Sequence, residues 1–317
     1  MRQWGLVILL GLVTACVAPP SKETVFGISR DQLDALQLAY YSDYVSFVGW
    51  DQHGAVAFAL DTNRGRDADT WQAEHFVVLH DETAGWQDVE GNGNYPNDAH
   101  QLASIPDSRV FSFEGRPEAG WRIQSDVNGL TLAVAPLQFH ISRQQGLAEY
   151  RLGSGPATLS WQGRDLSGRV IYEFLFLPAF NRLSRTYSGV FNDFHGLYLS
   201  VDRVGDLYLH RQTGEGFIPL ILPQEGFLAL GDIGRPLQRI QVEIRGREAA
   251  LGFYRWPTLW GATFSTGSQS FELRAHVLER ETIANWLVGG FSMGIVRGTL
   301  RTPSGEKPVY GLGELII

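Results

Sequence analysis

Three ionisable residues sit inside stretches of the sequence that are otherwise apolar. Asp43 lies in the run Tyr40 to Trp50, His75 in Trp71 to Asp81, and Glu173 in Val170 to Leu177. A carboxylic acid buried among apolar groups has its pKa raised and stays protonated near neutrality. Such an acid can protonate an isolated C=C bond if aromatic faces steady the cation and one water is admitted. Histidine titrates in the same range and can orient or share the proton. Asp43, His75 and Glu173 are therefore the candidate catalytic residues. Each also has a structural alternative: a carboxylate paired with an arginine, or a histidine hydrogen-bonded inside a sheet wall.

Around these lie residues suited to lining a pocket. Tyr41, Tyr44 and Phe47 flank Asp43, while Tyr172 and Tyr254 could aim hydroxyls inward or simply fill a barrel. Asp193 and His195 are two apart, which puts both on one face of a strand. A metal site would need a third ligand there, and none is evident in sequence, so no metal and no cofactor are expected. His75 and His80 fall on opposite faces of a strand. Gly290-Phe291-Ser292-Met293-Gly294 matches the G-x-S-x-G nucleophile pattern, but a strand-like run follows it and no histidine lies after Ser292. Serine hydrolase chemistry is excluded on those grounds, and no phosphate-binding glycine loop precedes a helix.

The elements that must position these residues read as strands. Tyr40–Trp50, Ala55–Asp61 and Trp71–Asp81 are aromatic, β-branched and bounded by turn residues, as in three strands of one antiparallel sheet. Val110–Glu114, Trp121–Ser125, Leu130–Ala135 and Ala157–Trp161 continue the series at sandwich or barrel spacing. Val170–Leu177 is apolar on both faces apart from Glu173. Phe194–Asp202 and Gly205–Arg211 form a hairpin around Arg203 and Val204. Asp31–Leu38 and Glu281–Leu287 are the two candidate helical segments. About 300 residues and 44% hydrophobic content suit two cores, with the division near Gly153–Pro156.

The chain opens on an address. Arg2, the apolar run Leu6–Val13 and the ending Val13-Thr14-Ala15-Cys16 have the layout of an exported signal peptide, residues 1–15, too short to span a bilayer. The ending resembles the lipobox of bacterial lipoproteins, which implies acylation of Cys16, a tether over residues 16–30, and placement in the cell envelope, at the outer membrane facing the periplasm. Cys16 is the only cysteine, so the fold must hold without a disulfide. The net charge is −8, and loss of Arg2 with the signal segment leaves −9, which excludes a nucleic-acid partner. Oligomeric state is not legible.

Several of these segments resemble one family. Asp43 to Gly49, Ala73-Glu74-His75-Phe76-Val77-Val78 closed by Asp81, and Phe191 to Leu199 with Gly205 to Leu209 are similar to strand signatures of the AttH/CrtC proteins, as is Val309 to Glu314. These are lipocalin-like double β-barrels that include carotenoid 1,2-hydratases and related isoprenoid-modifying enzymes. The resemblance implies an all-β fold of two consecutive lipocalin-like (calycin) antiparallel β-barrels with few short helices, at residues 31–156 and 157–317. The family's paired tryptophans are replaced by Tyr40-Tyr41 and Asp43-Tyr44, and of its acid-bearing G-x-x-W-x-D-H-E-W signature only Gly168, an aromatic and Glu173 remain. Fold therefore transfers more safely than activity. The expected function is a membrane-anchored protein binding an apolar, isoprenoid or lipid-like small molecule, with an acid/base hydratase, isomerase or cyclase as the alternative. A carbohydrate-binding sandwich using Trp121, Trp256 and Trp260 is a third, weaker reading.

Overall fold

Alternation of apolar residues along long strands, with no helical period between them, builds an architecture of curled antiparallel sheets. The computed structural model describes residues 24–25, 28–29, 35–67, 70–90, 95–97, 112–125, 129–178, 192–214, 220–231, 233–249, 255–286 and 289–316. The signal segment, Cys16 and most of the tether lie outside them, as does Tyr254.

A short ribbon pairs β1 (Thr24–Val25) with β2 (Ile28–Ser29). The first large sheet contains β3 (Leu38–Asp51), β4 (Gly54–Asp67), β5 (Thr70–Asp81), β6 (Gly85–Glu90), β7 (Tyr95–Asn97), β8 (Ser112–Arg116), β9 (Gly120–Ser125), β10 (Leu130–Val134), β11 (Gln138–Gln145), β12 (Ala148–Trp161) and β13 (Arg164–Leu177). Its order is β6-β5-β4-β3-β13-β12-β10-β9-β8, with β7 on β5 and β11 on β12. The second contains β14 (Asn192–Val201), β15 (Gly205–Gly214), β16 (Gln224–Leu230), β17 (Ile233–Pro236), β18 (Gln238–Ala249), β19 (Arg255–Thr266), β20 (Gln269–Trp286), β21 (Gly289–Thr302) and β22 (Gly305–Ile316). Its order is β17-β16-β15-β14-β22-β21-β20-β19-β18.

Each sheet curls into a half-barrel around its own apolar interior. Val45, Phe47, Phe58, Leu132, Leu159, Val170 and Phe174 belong to the first interior, and Leu197, Leu199, Leu209, Trp260, Phe264 and Leu273 to the second. Glycines allow the tight approaches: a Cβ on Gly168 would stand 2.1 Å from the Val48 carbonyl oxygen, and one on Gly311 2.1 Å from that of Tyr198.

A third apolar cluster joins the outer faces of the two sheets. Tyr40, Tyr44, Val48, Tyr150, Ile171 and Leu175 from the first sheet meet Tyr198, Tyr208, Phe227, Met293 and Leu312 from the second. Strands along this seam are buried on both faces, which is why Val170–Leu177 lacks polar alternation.

Three expectations are corrected. The division near Gly153–Pro156 falls inside β12, whose pairing with β13 runs unbroken from Glu149 to Trp161. β13 pairs in turn with β3, so the first sheet extends to Leu177 and the second begins at Asn192. Helix is absent among the described residues: of the Asp31–Leu38 segment, residues 31–34 lie outside them, Ala35 is turn, Gln37 bend and Leu38 opens β3; of the second segment Leu287 lies outside them and Glu281 to Trp286 continue β20. The extended backbone there is held by the ladder to β21, which outweighs a local helical pattern. The hairpin at Arg203-Val204 forms as expected between β14 and β15.

Candidate functional site

Period-two geometry sorts the candidate residues between two compartments. In β3, Tyr41, Asp43, Val45 and Phe47 share the face turned into the first half-barrel, and Tyr44 lies on the opposite face. Asp43 is opposite Phe174 in the ladder and Tyr44 is opposite Glu173. Asp43 and Glu173 therefore stand on opposite sides of one sheet, and the expected trio Asp43, His75, Glu173 does not converge. Phe174, Asp43, Thr62 and His75 occupy one cross-strand row, with His75 two strands from Asp43.

Asp43 is buried and accepts a short hydrogen bond from the Tyr172 hydroxyl. Tyr172 packs edge-on against Trp121 (centroids 5.2 Å apart), Tyr41 packs edge-on against Phe174, and Phe47 is core. Burial, then the Asp43 charge, pushes the Tyr172 hydroxyl well above its usual pKa, so it remains a donor. In the second half-barrel His195 is buried, with its ring 5.6 Å from Trp260. Burial and then Arg211 lower its pKa to about 4. Asp193 pairs with Thr213 in the ladder, two positions from His195, which pairs with Arg211. Among the described residues no group of three or more His, Cys, Asp or Glu is arranged to hold a metal.

Glu173 faces the seam, and there the structure assembles a site. Burial, reinforced by Glu225 and Asp61, raises its carboxyl to about 7 against the lowering effect of hydrogen bonds from Tyr208 and Tyr198. Protein packs around the carboxyl, and Glu173 keeps part of its surface accessible. Tyr208 Oη is 2.9 Å from Glu173 Oε2 and 3.0 Å from His210 Nδ1, and His210 Nε2 is 2.8 Å from the Leu222 carbonyl oxygen.

The proton positions along this chain follow from chemistry. A carbonyl only accepts, so His210 Nε2 carries a proton. Burial lowers the His210 pKa to about 4, so the ring is neutral and Nδ1 is an acceptor. Tyr208 then donates to His210, and its oxygen accepts from a protonated Glu173. With Glu173 ionised, the same hydroxyl can turn to the carboxylate instead. The arrangement thus accommodates both protonation states of the acid.

Aromatic faces enclose it. Tyr44 stacks on Tyr198 with centroids 4.5 Å apart, and Tyr198 lies 5.0 Å from Tyr208. Tyr198 also donates to Glu314 Oε2 at 3.1 Å. Burial comes first among the causes that hold Tyr44, Tyr150, Tyr198 and Tyr208 far above the usual phenol pKa. Two ion pairs brace the seam from either side. Arg169 grips Asp206 with three hydrogen bonds of 2.6 to 2.8 Å, and Arg143 makes a bidentate pair with Glu225 while donating to the Leu220 carbonyl at 3.0 Å. Burial raises the Asp206 pKa and Arg169 opposes this; the bidentate geometry is that of an ion pair.

Of this site sequence reasoning identified Glu173 and Tyr44 but missed Tyr208, His210, Tyr198, Tyr150, Glu225 and Arg143. One signal was available: Asp206, Tyr208, His210 and Gln212 alternate with leucines along most of β15, and all four are buried. A strand with a buried polar face has a partner covering it. The Ser292 pattern lies mid-strand in β21 with Ser292 buried, so it forms no nucleophile elbow. Trp121, Trp256 and Trp260 are buried as well and offer no exposed platform to a carbohydrate.

No protein-family model matches the chain, and no curated protein matches its sequence. Solved structures do share its fold. An AttH-type protein from Nitrosomonas europaea superposes with a TM-score of 0.56 at 12% identity, covering 92% of this chain and 94% of its own. Kievitone hydratase from Nectria haematococca gives 0.55 at 10% identity, covering 87% and 88%. CghA crystallised with Sch210972 gives 0.54 at 12% identity, covering 88% of each chain. The two curled sheets therefore correspond to an AttH-like, lipocalin-like double barrel.

Proposed function

We propose that this protein is an acid/base enzyme, a hydratase, isomerase or cyclase, acting on a C=C bond of an apolar small molecule held in the seam between the barrels. One observation carries the reading: the Glu173 carboxyl faces the tyrosine-rich seam and is bonded to the Tyr208–His210 pair, where burial pushes it up to about 7. Near neutrality half of it is protonated, which suits a general acid that must also recover its proton.

For hydration the steps balance as follows. The Glu173 O–H bond breaks as the alkene π pair forms a C–H bond, leaving a cation on the neighbouring carbon. The electron-rich aromatic rings of the seam steady that cation. Water then adds through oxygen and returns one proton to the Glu173 carboxylate, so the acid is regenerated. Isomerisation differs only in that the carboxylate removes a proton from the adjacent carbon. That one structural neighbour is a kievitone hydratase supports this class of reaction.

The test is deuterium uptake. Purified protein in D2O is offered a panel of prenylated and polyene compounds, with products read by mass spectrometry. Carbon-bound deuterium with the wild type, and none with Glu173→Gln, is the expected result; no uptake with any compound removes the proposal. The second reading, a carrier for an apolar isoprenoid or lipid-like molecule, draws on the same aromatic seam. It predicts copurified ligand in native mass spectra and no chemical change in it. Placement in the cell envelope through an acylated Cys16 belongs to this proposal too. Palmitate labelling that persists in Cys16→Ala would overturn it.

A further inference from the structure

Five large apolar side chains stand exposed among the described residues, and three of them gather at one end of the second barrel. Val204 in the β14–β15 turn is 59% exposed, Leu230 at the close of β16 37%, and Ile233 at the start of β17 63%. Leu230 and Ile233 are direct ladder partners, and the Leu230 side chain lies over Gly205, beside Val204. The three therefore form one cap across two adjacent hairpin tips.

Arginines surround this cap. Arg203 is in the same turn as Val204, Arg235 reaches toward the β19–β20 turn at Gly267, and Arg239 opens β18 at the same end. None of these three has a carboxylate partner among the described residues. Asp202 is taken by Lys307 at 2.8 Å and Glu272 by Arg274 at 2.7 Å. Glu272 also stands 3.9 Å from Arg301, and Glu306 is exposed opposite Arg301 in the β21–β22 ladder, so at this end the cations outnumber the carboxylates they are mixed with, in a chain of net charge −8. Arg203 (φ 62°) and Arg239 (φ 52°) both hold left-handed backbone, where glycine or asparagine would sit with less strain. Arg203 uses its side chain within the fold, holding the guanidinium 5.3 Å from the Trp50 ring centroid, so Arg239 is the bulky cation whose strained position has no such contact among the described residues. Beside them runs an open groove of about 480 Å³, lined in part by Arg239, Gln241, Thr263, Glu272 and Arg301.

We infer that this end of the second barrel docks on an anionic phospholipid surface. Val204, Leu230 and Ile233 enter the headgroup–acyl boundary, the arginines meet the phosphates, and the groove between Arg239 and Arg301 receives one headgroup. Shallow apolar insertion combined with basic residues is how a folded domain holds to a bilayer without spanning it. The contact is independent of the seam reaction and of acylation at Cys16.

The test uses the full chain carrying Cys16→Ala, in which no other cysteine remains. Ile233→Cys is labelled with a polarity-sensitive dye, and a control label is placed at Gln145→Cys, exposed at the close of β11 two residues from Arg143, which pairs with Glu225 at the far end of β16 from Leu230. Phosphatidylcholine vesicles with about 30% phosphatidylglycerol should blue-shift the label at 233 and leave the one at 145 unmoved. Leu230→Asp, or Arg239→Glu with Arg301→Glu, should weaken the response by at least about tenfold, as should raised salt for the charge component. Circular dichroism should be unchanged in these surface variants. Equal shifts at both labels, no shift at 233, or a shift produced by inorganic phosphate without vesicles would each overturn the assignment.

Discussion

Tyr208 and Glu173 come from different barrels and meet across the seam with 2.9 Å between the phenol oxygen and the carboxyl. Neither is placed by its own sheet alone: β13 supplies the acid, β15 supplies the hydroxyl, and the packing of the two outer faces sets the distance. Chemistry that depends on this pair depends on the assembled seam.

If Glu173 is the acid, turnover should fall as pH rises through about 7, where its carboxyl ionises. A pH–rate profile for kcat measures this. A limb near 4.5 instead would show that the proton comes from an ordinary exposed carboxyl.

Removing the Tyr208 hydroxyl deletes a hydrogen bond that stabilises ionised Glu173, so Tyr208→Phe should move the alkaline limb upward. It also leaves His210 Nδ1 without its donor, at a stability cost of about 1–3 kcal/mol. A profile unmoved from that of the wild type would mean that the phenol is mere packing.

Glu173 and His210 should bias stability in opposite directions with pH. The folded-state pKa of Glu173 is raised to about 7, so the native state holds the extra proton and stability declines as pH climbs from about 4.5 to about 7. The loss is on the order of 3 kcal/mol at most, and Glu173→Gln should flatten it. His210 is lowered to about 4, so its contribution is present above about 6.5 and is lost as pH falls toward 4. Urea titrations across pH 4 to 8 on the wild type, Glu173→Gln and His210→Gln separate the two slopes.

Arg169→Ala should strand Asp206, which is 1% exposed, and cost about 3–5 kcal/mol. The double change Arg169→Met with Asp206→Leu should recover most of that loss. Chemical denaturation of the three variants decides it, and a fully tolerated single change would show that water already reaches Asp206.

The all-β class, the strand series and the hairpin at Arg203-Val204 were legible because alternation and turn chemistry are local properties of the chain. Glu173 was legible for a related reason: one charge in an apolar run must be explained wherever that run is buried. The sheet boundary was not, because Gly153–Pro156 looks like a linker until β12 is seen pairing straight through it. Nor was the split between Asp43 and Glu173. Their strands are neighbours, but the ladder register sets Asp43 against Phe174 and Glu173 against Tyr44, and a shift of one residue would have put both on the same face. Tyr208 and His210 show in one dimension only as a polar alternation along β15, and Glu225 carries no signature there. Local patterning determined what each strand is. Tertiary packing alone decided which faces meet, because cross-strand register and the docking of two outer surfaces are set by contacts between residues far apart in the chain.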